Sequence, residues 1–251
     1  MKSYTYIVAS LHGRTGKTLL ARLFADHALF TGQHPEIFDT DAADRKLAAC
    51  FPGRAVVTDL DRVTDQMKLF DTLTAPAAVP RVVDVMYRVF HKFFRLAQEI
   101  GYVEEAHRHE IEPVIVYIPD REAASYEQGR LLRDHFKQCH FIVVENALLG
   151  KPDKHVQQSE HYKALMAHEL NLYMPLLDPM FASVVDDPKL SLSEFMSNSP
   201  VQRPPGELSL AYLSLEARAS IQVWLNEMFN EIRRLSDVIK LRADLSFKRP
   251  L

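Results

Sequence analysis

The residues with the most chemical promise lie near the start of the chain: His12-Gly13-Arg14-Thr15-Gly16-Lys17-Thr18. An apolar run over residues 4–9 precedes them. After them, residues 18–30 carry Leu19, Leu20, Leu23, Phe24 and Ala28 at a helical period. A glycine turn between strand and helix, closing on Gly-Lys-Thr, is the context that a phosphate-binding P-loop requires. Its amides and the positive end of the following helix attract phosphate oxygens. Lys17 adds a point charge for the β and γ phosphates, and the Thr18 hydroxyl suits a Mg2+ ligand. Gly13, Arg14, Thr15, Gly16, Lys17 and Thr18 are the candidate nucleotide contacts. The competing reading is a glycine turn whose lysine is only solvated.

Around this loop the chain alternates. Apolar, β-branched runs fall at residues 36–38, 55–58, 81–85, 113–118 and 141–144, with helical patterns at 64–73, 85–100, 122–136 and 161–170. Residues 148–160 read as a loop, and 172–177 as a last strand closed by Asp178-Pro179. Short apolar strands separated by helix-length segments predict an α/β fold, a three-layer doubly wound and mostly parallel sheet. The predicted organisation is a nucleotide-binding domain at residues 1–196, a Pro- and Ser-rich linker at 197–213, and a C-terminal helical segment at 214–251. Ile221, Trp224, Leu225, Met228, Ile232, Leu235 and Ile239 make a stripe there, suited to packing on the same domain or on a dimer partner.

Composition bounds the rest. The 251 residues are 47% hydrophobic and 25% charged, with 30 basic against 33 acidic side chains, a formal charge of -3. Whole-chain disorder and a globally basic nucleic-acid coat are excluded. Cys50 and Cys139 have no metal-ligand spacing, which points to a reducing compartment and a cytoplasmic protein. No stretch approaches the ~18 apolar residues of a spanning helix, and the first apolar run leads directly into the glycine loop, unlike a signal peptide. His107-Arg108-His109, with His91 upstream, lacks any zinc pattern and reads as a solvated helix end.

The loop and its successors together resemble the ParA/MinD-type ATPases, with their deviant Walker A loop. Phe38-Asp39-Thr40-Asp41 ends the second strand where that family places a D-x-D; Arg81-Val82-Val83-Asp84 is similar to its Walker B strand. Residues 115–119 look like the strand that borders the base, and Val143–Asn146 like the strand ending in an asparagine near it. The resemblance covers about residues 4–195, and the layout is most similar to the conjugal-transfer TraL-type members. It implies ATP and Mg2+ as cofactors. Asp39 and Asp84 would support the metal beside Thr18, Asp41 would position the attacking water, and Asn146 would lie near the base. Two of these residues have simpler alternatives, since Asp41 can cap a helix at 42–49 and Asn146 can be a turn residue. For Asp84, too, a purely structural role stays open.

The departures are specific. Leu11 stands where a P-loop usually opens with glycine, His12 replaces the family's signature lysine, and Arg14 replaces a glycine. Arg14 can supply the missing charge, within the chain or across a dimer, or it can face solvent. The resemblance further implies a nucleotide-dependent homodimer that hydrolyses ATP slowly and recruits a partner protein, a plasmid or a secretion complex. Weak non-specific DNA binding by the basic C-terminal end competes with an ordinary solvated face there. A nucleotide-binding scaffold without turnover and a P-loop small-molecule kinase are the alternatives; the latter lacks the arginine cluster of a kinase lid.

Overall fold

The computed structural model describes residues 2–197 and 213–246. Seven strands form one sheet: β1 (Ser3–Ala9), β2 (Glu36–Asp39), β3 (Ala55–Val57), β4 (Arg81–Asp84), β5 (Ile111–Tyr117), β6 (His140–Asn146) and β7 (Asn171–Met174). Their order is β3-β2-β4-β1-β5-β6-β7, and every neighbouring pair is parallel. β1 sits at the centre of the sheet.

Side-chain alternation sorts the strand residues onto two apolar layers. Tyr6, Val8, Val82, Val114, Val116, Ile142 and Val144 face a core closed by α1 (Lys17–Phe30), α10 (Leu192–Met196) and α11 (Leu215–Ser246). Their immediate neighbours Ile7, Val83, Ile115, Tyr117, Phe141 and Val143 face the opposite core, under α3 (Val63–Thr74), α4 (Phe90–Glu99), α5 (Tyr102–Arg108), α6 (Ala123–His135) and α8 (Glu160–Met166). Burial on both faces explains why these strands read as continuous apolar runs.

The stripe on α11 is fully internal: Ile221, Trp224, Leu225, Met228, Ile232, Leu235 and Ile239 are all buried in the first core. The helix is tied along its length as well. Trp224 Nε1 donates to the Pro175 carbonyl at 2.9 Å, Arg234 Nη2 to the Asn171 carbonyl at 2.8 Å, and Lys2 Nζ to the Ala243 carbonyl at 3.0 Å. It therefore packs against the same sheet as α1.

Several boundaries differ from the sequence expectations, each for a local reason. The helix expected over 85–100 starts late, because the Met86 amide donates to Thr40 Oγ1 and the chain first makes a 3-10 turn at Tyr87–Val89. The helix expected at 42–49 is confined to α2 (Lys46–Cys50), after a turn at 42–44. The loop expected over 148–160 contains α7 (Lys154–Gln158). β7 stops at Met174, since Pro175 has no amide to continue a ladder, and Asp178 instead caps α9 (Pro179–Val185), with Pro179 in its first turn. The expected linker at 197–213 lies almost wholly outside the described residues, as do residues 247–251. Among the described residues no helix is long and apolar enough to cross a membrane.

Candidate nucleotide-binding site

The C-terminal ends of β1, β2 and β4 open onto one cleft of about 1100 Å3, where open parallel sheets place their ligands. Register brings the chemistry level: Val8 of β1 is paired with Asp84 of β4, and Asp84 with Asp39 of β2. The loop from His12 to Thr18 forms one wall.

Three side chains converge at the loop's end. Lys17 Nζ donates to Asp84 Oδ1 at 2.7 Å, and Thr18 Oγ1 donates to Asp84 Oδ2 at 2.7 Å. Lys17 and Asp84 are buried, at 9% and 2% exposure, so the pair is held in a low-dielectric wall. Gly16 takes a left-handed conformation (φ 82°) as the N-cap of α1, and no side chain caps that helix. Its first amides are thus left for a ligand. Thr15 Oγ1 is buried without a partner on the same wall. An orphaned hydroxyl, uncapped amides and a lysine next to a threonine fit a polyphosphate. Among the described residues no three His, Cys, Asp or Glu converge as a ready metal site. A Mg2+ here would depend on Thr18, the nearby carboxylates and phosphate oxygens, the mixed coordination this ion favours.

The substituted positions behave individually. Arg14 adopts φ 63° and so takes the left-handed backbone that glycine would take, while its side chain stays exposed. Leu11 packs, partly buried, against the second core. His12 Nδ1 is hydrogen-bonded to Asp120 Oδ2 beyond β5, so the residue at the signature-lysine position is engaged within its own chain. At Gly13 a Cβ would stand 3.1 Å from the Tyr87 ring, which leans on the loop from the β4 side.

The two aspartates after β2 differ. Asp39 is fully buried, with Oδ1 accepting from the Asp41 amide at 2.9 Å and Oδ2 from the Ala48 amide at 3.0 Å. Burial raises its pKa above the usual carboxylate range; the two amides oppose that and the charges of Asp84 and Asp41 add to it. Asp41 lines the cleft half-buried, and its Oδ1 accepts from the amides of Ala43 (3.3 Å) and Asp44 (3.1 Å). It caps that turn and not α2, which begins at Lys46 after Arg45.

Asn146 does not line this cleft. Its Nδ2 donates to the Thr15 carbonyl at 3.0 Å and its Oδ1 accepts from the Leu148 amide at 3.0 Å, so it joins the end of β6 to the back of the loop. What it touches is the loop's main chain, and a Cβ on Gly16 would meet its Nδ2 at 2.8 Å.

Sequence reasoning missed the other side of the cleft. Asp186 and Pro188 form a rim, held there by Arg22 of α1, whose Nη1 donates to the Val185 carbonyl at 2.5 Å and Nη2 to that of Leu190. Arg22 and Asp26 stand four apart, a spacing visible in the sequence, but their carbonyl and amide partners more than 160 positions away are not. Three of the terminal basic residues are paired: Arg234 with Glu231, Lys240 with Asp237 and Arg242 with Glu169. His107 and His109 lie near Glu112 and Glu105.

A glycine loop between the central strand and the first helix of a doubly wound parallel sheet defines the class: an α/β fold of P-loop architecture. The chain is similar to solved structures of nucleotide-binding, cell division and plasmid partition proteins. They include a nucleotide-binding protein in complex with ADP from Archaeoglobus fulgidus, at 15% identity and TM-score 0.48, covering 74% of this chain and 87% of that one. MinD in the MinC:MinD cell division complex of Aquifex aeolicus gives 11% and 0.38, over 75% and 86%. A plasmid partition protein from Borrelia burgdorferi gives 13% and 0.39, over 79% and 100%. No protein-family model and no curated protein matches the chain.

Proposed function

We propose that this protein binds ATP with Mg2+ in the cleft, dimerises around the nucleotide and hydrolyses it slowly, as a nucleotide-timed switch. The convergence of Lys17, Thr18 and Asp84 at 2.7 Å carries this reading. The loop amides and Lys17 hold the phosphates; Thr18 and Asp84, with Asp39 behind them, hold the metal side. Bound Mg2+ supplies charge neutralisation at the phosphate oxygens. Asp41, on the open side of the cleft, positions the attacking water. Arg14, exposed on the loop, contributes a charge across the dimer. Asn146 serves by fixing the loop from behind, next to whatever pocket takes the base.

The output is recruitment of a partner protein, a plasmid or a secretion complex, with a conjugal-transfer role of the TraL type as the particular form. The pairing of Arg234, Lys240 and Arg242 favours a protein partner over DNA. A scaffold that binds nucleotide without turnover is the second reading, favoured by His12 being held by Asp120.

Thermal melting with and without Mg·ATP tests the core of this. The parent and Asp41→Ala should be stabilised, with about 2.7 kcal/mol expected at a hundredfold excess over Kd, and Lys17→Ala should not. Phosphate release should be measurable in the parent and lost in Asp41→Ala. Stabilisation of Lys17→Ala equal to the parent removes the loop from the mechanism, and equal release by Asp41→Ala leaves that residue a turn cap.

A further inference from the structure

Six cations line the cleft; three are already engaged, and Lys46 is the first residue of α2. Lys17 is on Asp84, Arg22 is on two carbonyls and beside Asp26, and His12 is on Asp120. Arg14 stands on the loop crest. Arg88 is different again. It sits four positions after Asp84, on the 3-10 turn Tyr87–Val89, and lines the same cleft.

That turn is pinned at three points. Thr40 Oγ1 donates to the Asp84 carbonyl at 3.0 Å and accepts from the Met86 amide at 2.8 Å. The Arg88 amide donates to Met86 Sδ at 3.4 Å. The Tyr87 ring lies against Gly13. The Arg88 guanidinium rests on a neutral partner, Nε donating to the Tyr87 hydroxyl at 3.0 Å, and Asp41 and Asp44 line the same cleft. A cation held by a phenol gives up less on meeting phosphate than one already in an ion pair.

We infer that Arg88 is the catalytic cation for the γ-phosphate, supplied by the same chain in place of the lysine that His12 replaces. This rests on the proposed ATP site and assigns its missing charge. The pinned turn carries Arg88 on the Asp41 side of the cleft, where charge develops on the transferring phosphoryl group. The guanidinium exchanges the Tyr87 hydroxyl for γ-phosphate oxygens. A diphosphate gives it nothing to exchange for, so Arg88 also distinguishes ATP from ADP.

The test measures affinities for the fluorescent N-methylanthraniloyl forms of ATP and ADP, and single-turnover phosphate release, in the parent, Arg88→Gln, Arg88→Lys and Arg14→Gln. Arg88→Gln should weaken triphosphate binding about tenfold, leave diphosphate binding within about twofold, and slow release by about 1000-fold. Arg88→Lys should recover affinity more than rate, because a point charge lacks the planar fork. Equal weakening of both nucleotides, unchanged release in Arg88→Gln, or the same signature in Arg14→Gln instead overturns the assignment while leaving the ATP site intact. A parent that binds neither nucleotide overturns the site itself. If the parent binds but does not turn over, the ratio of the two affinities decides.

Discussion

Helix α1 carries two buried cations less than two turns apart, and they are built for opposite purposes. Lys17 is matched to side chains, Asp84 directly and Thr18 through it, all on the wall of an open cleft. Arg22, at 3% exposure, is matched to backbone: the carbonyls of Val185 and Leu190, and through Asp26 Oδ1 the amide of Ser193 at 3.0 Å. Side-chain partners can rotate to admit a ligand, whereas carbonyls and amides of a packed chain cannot. The same helix thus presents an exchangeable cation to the ligand and a fixed one to its own fold. Burial alone does not distinguish them; the identity of the partner does.

The largest expected effect breaks the fixed one. Arg22→Ala leaves two carbonyls and Asp26 without their cation, and should cost about 3–5 kcal/mol in urea unfolding. Lys17→Ala should cost clearly less, since Thr18 still donates to Asp84 and removing the lysine opens that carboxylate to cleft water, yet it should lose more nucleotide affinity than Arg22→Ala. Equal unfolding costs for the two variants would erase the distinction.

A smaller effect sharpens it from the loop side. Gly16→Ala places a Cβ at φ 82° and 2.8 Å from Asn146 Nδ2, so strain of about 1–3 kcal/mol is expected. The neighbouring Arg14 already tolerates φ 63°, in the open. If Gly16→Ala melts like the parent, the tether from Asn146 is softer than its 3.0 Å bond suggests.

The smallest effect lies at the far end of α1. His27 is packed edge-to-face on Phe229 of α11, and its Nε2 has no partner. Burial foremost, then the charges of Arg233 and Lys240, hold its pKa down to about 4. The unfolded chain, with a histidine near 6.5, binds the proton more readily. His27 therefore contributes no pH dependence above 6.5, and stability falls as pH drops from there toward 4. A His27→Gln variant should show a flatter melting-temperature profile over that window; parallel profiles would remove His27 as the cause.

Much of the site was legible because it is local. The P-loop reading needed only Gly13 to Thr18 between a strand and a helix, and the aspartates at 39 and 84 stand at the ends of apolar runs that are strands. The stripe on α11 was equally readable, since a 3.6-residue period is a property of the sequence itself. What could not be read was the service each residue performs. Asn146 is a turn residue, its Oδ1 accepting from the Leu148 amide, but it also braces Thr15 from across the sheet; Asp41 looks like a helix cap and caps a turn that precedes the helix. Arg88 carried no signal at all, because nothing local marks a residue whose meaning comes from Gly13, Thr40 and Asp84.

By itself, then, the sequence determined the alternation of strands and helices, the glycine loop after the first strand and the apolar face of the last helix. These depend on periodicity and on residues adjacent in the chain. Only the tertiary structure decided that His12 is held by Asp120, that Arg22 clamps residues 185–193 to α1, and that Tyr87 stands against the loop with Arg88 lining the cleft beside it. Those pairings join distant segments, and their geometry is fixed by how strands register and helices pack around them.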